Sequence, residues 1–172
     1  MGLLGELGAG YRFILGGTYL QFGKLDKALK YYNKAIESKN QIKPNTLALL
    51  YLWRGMIRQI ISSHKKHSDS PGYFPAFRQY LAPYFGDSPD FDSVKDLHLT
   101  FEDAIDDFSK IIELCPEDPG GYALRGLAHL EEGNFENAIR DSTKALEIDS
   151  EDYCSYSTRG RARDKKGDLA GA

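Results

Sequence analysis

Tyr122-Ala123-Leu124-Arg125-Gly126 returns as Tyr156-Ser157-Thr158-Arg159-Gly160, 34 residues further along the chain. An earlier relative, Tyr51-Leu52-Trp53-Arg54-Gly55, keeps the same Tyr, Arg and Gly. A second pattern follows the first. Gly133-Asn134-Phe135-Glu136-Asn137-Ala138-Ile139 leads into Lys144-Ala145-Leu146-Glu147-Ile148-Asp149. Gly23-Lys24-Leu25-Asp26-Lys27-Ala28-Leu29 leads into Lys34-Ala35-Ile36-Glu37, and Thr100-Phe101-Glu102-Asp103-Ala104-Ile105 into Lys110-Ile111-Ile112-Glu113-Leu114-Cys115-Pro116. Self-similarity at such a period marks an array of small supersecondary units.

The residue types suit pairs of helices. Gly133 can take the left-handed conformation that ends a first helix, and Asn134 and Thr100 can cap the second by accepting from its free N–H groups. Gly126 and Ala138 are small enough to let two helix backbones approach closely. Leu127, Ile139 and Leu146 recur at helical spacing and supply apolar faces. One pair cannot bury both faces by itself, so several must stack.

This joint recurrence resembles the tetratricopeptide repeat family. The resemblance implies an all-α fold, a right-handed superhelical α-solenoid of antiparallel helix pairs, with one repeat interrupted by an insertion. The first repeat is expected over 9–42, with Leu15-Gly16 and Tyr19 in its first helix and Ala28 and Tyr32 in its second. The second spans 48–118 with an insertion at about 62–99, and the third spans 119–152. A partial fourth, a first helix alone, covers 153–172. The proline expected at a repeat end survives as Pro116, while Asn40 and Ser150 stand there elsewhere. Gly167-Asp168-Leu169-Ala170-Gly171-Ala172 matches the turn and opening of another second helix. That suits an array that continues, although the polar run from Arg159 to Lys166 suits a terminal cap.

Gly55 and Gly126 are separated by about 37 residues more than the regular period. Leu47, Leu50, Arg54, Ile57, Ile61 and His64 share a helical stripe, so the helix is expected to run on towards Lys66. Ser68-Asp69-Ser70-Pro71-Gly72 breaks it. A short helix is predicted over 75–82, stopped by Pro83, and a further helical piece over Asp92 to Leu99. The insertion is rich in aromatics: Tyr73, Phe74, Phe77, Tyr80, Tyr84, Phe85 and Phe91. They read as a local hydrophobic plug on the extended repeat, with an exposed docking patch as the alternative.

Composition narrows the function classes. With 41% apolar and 27% charged residues the chain is globular rather than disordered. A net charge of −3 gives no basic excess for phosphates, so nucleic acid is not an expected partner. No apolar run approaches the roughly 20 residues that span a bilayer, and nothing reads as a signal peptide. No membrane association and a cytoplasmic location are therefore expected. Cys115 and Cys154 make no disulfide framework. His64 and His67, at helical spacing, would be at most a two-ligand metal site and read better as a solvated helix end. His129 reads as packed rather than reactive. Pairs such as Asp106-Asp107 and Glu131-Glu132 read as helix faces. No nucleophile–base pair, metal or cofactor is nominated, and the expectation is a non-enzyme.

The expected function is a protein–protein interaction scaffold binding an apolar or amphipathic peptide or helix. The alternatives are a self-associating structural repeat protein, hence a homo-oligomer, and an adaptor fragment of a longer multidomain protein. The resemblance places partner contacts on the first helices. Carried onto this chain, these are Phe13, Leu20, Leu49, Leu52, Met56, Gln59, Ile60, Ala123, Leu127 and Leu130, followed by the polar Ser157, Arg161, Asp164 and Lys165. Structural ion pairs are expected among Arg54, Arg125, Arg159, Asp107 and Asp141. In the first repeat both kinds of position change together, to Leu15 and Tyr31. Whether Arg125 meets Asp141 of its own repeat or Asp107 of the previous one stays open at this point.

Tetratricopeptide co-chaperones grip acidic chaperone tails with Lys, Asn and Arg on successive first helices. Here the matching positions are Phe13, Gly17, Trp53, Gly120 and Leu124, none of which offers a carboxylate a charge-assisted hydrogen bond. Titration with such a tail peptide should give no binding, and micromolar affinity would overturn the assignment of these positions.

Overall fold

The computed structural model describes residues 2–67 and 89–167. Among them the chain is all-α, with seven α-helices and two short 3-10 turns. It divides into two compact units, Met1–Thr100 and Phe101–Ala172.

The first unit opens with α1 (Gly2–Gln21) and α2 (Leu25–Ile36). Gly23 separates them in the left-handed region, at φ 68°. Its N–H bonds the Leu20 carbonyl at 2.9 Å and the Lys24 N–H bonds that of Tyr19 at 2.8 Å, which closes the end of α1. Leu25, Ala28, Leu29, Tyr32, Ala35 and Ile36 form the buried stripe of α2. Tyr32 lies so close to α1 that a Cβ on Gly16 would stand 2.8 Å from its ring. Burial pushes the Tyr32 phenol well above its usual range.

A 3-10 turn (Lys39–Gln41) leads to α3 (Pro44–Lys66). Pro44 begins that helix where its missing N–H costs nothing. Leu47, Leu50, Tyr51, Ile57 and Ile61 bury one side of it, and it reaches Lys66 as the Leu47-to-His64 stripe predicts. The short helix over 75–82 and the aromatics Tyr73, Phe74, Phe77, Tyr80, Tyr84 and Phe85 lie outside the described residues.

The returning segment is fastened to this unit at several points. The Asp90 N–H bonds the Gly23 carbonyl at 2.8 Å, and Lys24 Nζ meets Asp90 Oδ2 at 2.9 Å. That hydrogen bond holds the Asp90 carboxyl below the usual carboxylate range. Phe91 stacks on His64 at 3.8 Å between ring centroids, Lys65 Nζ donates to the Leu97 carbonyl, and Val94 is buried. The helical piece expected from Asp92 to Leu99 is only a 3-10 turn, Asp92–Val94. Ser93 fastens the start of that turn to Asp90, its N–H donating to the Asp90 carboxylate at 3.2 Å and its hydroxyl to the Asp90 carbonyl at 2.8 Å.

The second unit contains α4 (Phe101–Leu114), α5 (Pro119–Glu132), α6 (Phe135–Ile148) and α7 (Tyr153–Lys166). Its boundaries are chemically specified. Asp118 accepts from the Gly120 N–H at 2.8 Å, with Pro119 beginning α5. Asn134 accepts from the Asn137 N–H at 3.3 Å at the start of α6, and Asp152 from Cys154 and Ser155 at 3.1 and 3.3 Å at the start of α7. Gly133 and Gly167 end α5 and α7 at φ 102° and 85°. The turn and helix start expected beyond Gly167, at 168–172, lie outside the described residues. Leu130, Ala138 and Ala162 form a core joining α5, α6 and α7, with Leu127, Phe135 and Ile139 packed against it. Close approach again depends on glycine: a Cβ on Gly121 would meet Ile112 of α4 at 2.9 Å, and one on Gly126 would meet Ser142 Oγ at 3.0 Å and its backbone N at 3.3 Å.

Gly126 and Gly160 occupy the same place in the repeat, yet a Cβ on Gly160 would meet nothing within 4 Å. Gly126→Ala should therefore destabilise the second unit, because overpacking costs about 1–3 kcal/mol and outweighs the roughly 1 kcal/mol that alanine contributes to a helix. Gly160→Ala should stabilise by up to about 1 kcal/mol. Thermal denaturation followed by circular dichroism checks both, and shifts of the same sign would contradict the packing difference.

Candidate partner-binding surfaces

Leu49, Leu52 and Met56 recur at helical spacing along one side of α3. Leu49 is 46% exposed, while Leu52 and Met56 are half-buried. This side faces away from the stripe that packs inward, so the three side chains form an apolar strip that water can reach. Phe13 on α1 is also half-buried, its ring tilted against Tyr32 with centroids 6.1 Å apart. In the second unit Leu127 is half-buried on α5, and Ser157 and Arg161 are exposed on α7. Arg161 Nη2 pairs with Glu131 Oε1 at 3.2 Å, tying α7 to the end of α5.

Five of the expected contact residues are core instead. Leu20, Gln59, Ile60, Ala123 and Leu130 are each at least nine-tenths buried. Positions at the margins of an otherwise open stripe are covered by neighbouring elements even though they share its helical spacing. Leu130 shows this directly, being packed with Ala138 and Ala162. The accessible remainder is Phe13, Leu49, Leu52, Met56 and Leu127.

Arg125 is the polar centre of the second unit. Its Nε and Nη2 donate to the two Asp141 carboxylate oxygens at 2.7 and 3.0 Å, and its Nη1 donates to Ser109 Oγ at 3.1 Å. One guanidinium thus joins α4, α5 and α6. The partner of Arg125 is Asp141, within the same repeat. Asp141 is almost fully buried, with His129 Nε2 at 3.9 Å and Arg140 Nε at 3.7 Å. Ser109 was not among the expected residues. Its signal was its register, since Thr143 lies one period later and both hydroxyls bond the carbonyl four residues back.

The other arginines differ. Arg54 donates to Asn33 Oδ1 at 2.9 Å and lies over the Tyr51 ring. Arg159 lies 5.3 Å from the Tyr156 ring centroid, while both oxygens of Asp141 are held by Arg125. Asp107 is buried on α4.

His64 borders a cavity of about 270 Å³ with Ile61, Lys65, Phe91, Asp92, Val94 and Lys95. Burial lowers the imidazole pKa and so favours its neutral form. Among the described residues no group of three or more His, Cys, Asp or Glu is placed to hold a metal. Cys115 and Cys154 are free thiols. No described helix is long and apolar enough to cross a membrane.

The tetratricopeptide repeat family matches residues 9–42 and 119–152. Among solved structures, MamA from residue 41 to the end, from Desulfovibrio magneticus RS-1, is 19% identical, with 95% of this chain and 88% of that chain aligned at a TM-score of 0.40. A second MamA crystal structure is 18% identical over 95% of this chain and 85% of that one, also at 0.40. No curated protein sequence matches. The matched repeats support a protein-interaction scaffold.

The Arg125 contacts give a stability test. Arg125→Leu should destabilise the second unit by about 3 kcal/mol, because it strands a buried carboxylate. Arg125→Leu combined with Asp141→Leu should cost less than Arg125→Leu alone, since no charge is then left behind. Urea denaturation of the single and double variants checks the ordering, and a double variant less stable than Arg125→Leu would contradict it.

Proposed function

The chain is a tetratricopeptide-repeat protein, and we propose that it holds an apolar or amphipathic helix of a partner protein against its first helices. The observation that carries this reading is the accessible strip on α3, where Leu49, Leu52 and Met56 meet water. The strip bears no charge, so an acidic or basic peptide would gain little there. An amphipathic helix gains more, because burying one Leu or Phe contributes about 1.5–3 kcal/mol, and anchors three, four and seven residues apart match the spacing of the strip. The reading requires no chemistry from the protein beyond binding.

Affinity capture with the whole chain as bait, compared with a Leu49→Glu, Leu52→Glu variant, tests it. Both residues are accessible, so the variant should keep its helicity by circular dichroism. Partners identified by mass spectrometry with the native chain should be lost with the variant, and unchanged capture would remove α3 as the binding surface.

A further inference from the structure

The segment from Asp90 to Leu97 lies against the end of α3 and is held there by contacts of different kinds. Its backbone is tied to Gly23 through the Asp90 N–H, and Val94 is buried. Lys65 of α3 donates to the Leu97 carbonyl. His64 of α3 lies flat on Phe91, with ring centroids 3.8 Å apart and planes 12° from parallel. Only the last of these contacts contains a histidine, the side chain whose charge ordinarily changes near neutral pH.

Charge around the imidazole is unbalanced. Lys65 from α3, with Asp92 and Lys95 from the returning segment, lines the cavity that His64 borders. The third element packed on this turn is α2, whose N-cap residue Lys24 is already paired with Asp90. Two lysines against one aspartate oppose a further positive charge, and partial burial of His64 removes some of the water that would solvate it. An imidazolium here faces both costs, while a neutral ring on Phe91 faces neither.

We propose that His64 and Phe91 form an acid-sensitive latch, in which protonation of the imidazole loosens residues 90–97 from α3. This segment leads directly into α4, so the latch controls how firmly that connection is fastened to the first unit. Burial holds the imidazole pKa below the usual 6.5, so the latched segment takes up a proton less readily than the released one. Stability of the latch is therefore complete above the usual histidine range. It falls as the pH drops through that range and levels off below the lowered value. The Lys24–Asp90 pair lies outside this window, because its hydrogen bond to Lys24 holds the Asp90 carboxyl below the ordinary carboxylate range.

Amide exchange followed by NMR tests the latch through the Asp90, Val94 and Leu97 N–H groups, which bond the Gly23, Phe91 and Val94 carbonyls. After correction for the intrinsic pH dependence of exchange, their protection should fall several-fold between about pH 7.5 and about pH 5.5. His64→Phe keeps a ring against Phe91 but takes up no proton, and it should hold its protection across the same range with unchanged helicity. His67 and His98 are present in both chains, so an equal fall in His64→Phe would belong to them and overturns the proposal. Protection that stays level in the native chain overturns it as well, as does protection that rises in acid because a cation gains from the Phe91 ring face. The imidazole resonances give a second readout that leaves His64 in place. In Phe91→Ala the His64 titration midpoint should move up towards the usual histidine value, and an unchanged midpoint overturns the latch. Leu49 and Leu52 take no part in these contacts, so the outcome is independent of partner capture through the α3 strip.

Discussion

Close approach between the two helices of a pair is the constraint on which the architecture depends. Gly16 and Gly126 hold the same register in their repeats, and each stands where a side chain would collide with the facing helix, at 2.8 Å from the Tyr32 ring and 3.0 Å from Ser142 Oγ. Glycine costs roughly 0.5–1 kcal/mol in a helix interior. That cost is offset because a narrow gap lets Tyr32 become fully buried, and lets Ala138 and Ala145 complete a core with almost no side-chain volume. At Gly160, in the same register, a Cβ would meet nothing within 4 Å.

The helix pairs were legible in the sequence because their signals are local. The periodic Tyr, Arg and Gly, the turn glycines, and the cap at Asn134 depend on residues a few positions apart, and they specify where helices start and stop. The segment around Asp90 was not legible in this way. Its conformation is held by Gly23 and Lys24, more than sixty residues earlier in the chain, and no periodicity encodes a contact of that kind.

The candidate surface was half legible for a related reason. Helical spacing identifies which residues share a side, but the width of the side taken by neighbours depends on how many elements pack around the helix. Leu52 and Ile60 look equivalent on a helical stripe, yet one is half-buried and the other almost wholly buried. Sequence could therefore place the strip on α3 but not its edges. The arginine positions carry the same lesson: Arg125 and Arg159 are one period apart, yet Arg125 meets Asp141 while Arg159 lies over the Tyr156 ring.

Comparison of the two uninterrupted repeats shows that one packing slot accepts two chemistries. Arg125 and Asp141 in the third repeat correspond to Leu15 and Tyr31 in the first. There Tyr31 stacks on Tyr19 with centroids 5.3 Å apart and planes 11° from parallel, and Lys27 lies 5.4 Å from the Tyr19 ring centroid. The substitution of both members together is what a buried pair demands, because removing one charge strands the other while removing both leaves no penalty. The polar version also does something the aromatic one does not. Its third bond, to Ser109, ties the arginine to the preceding helix α4, so the clasp acts between repeats as well as within one.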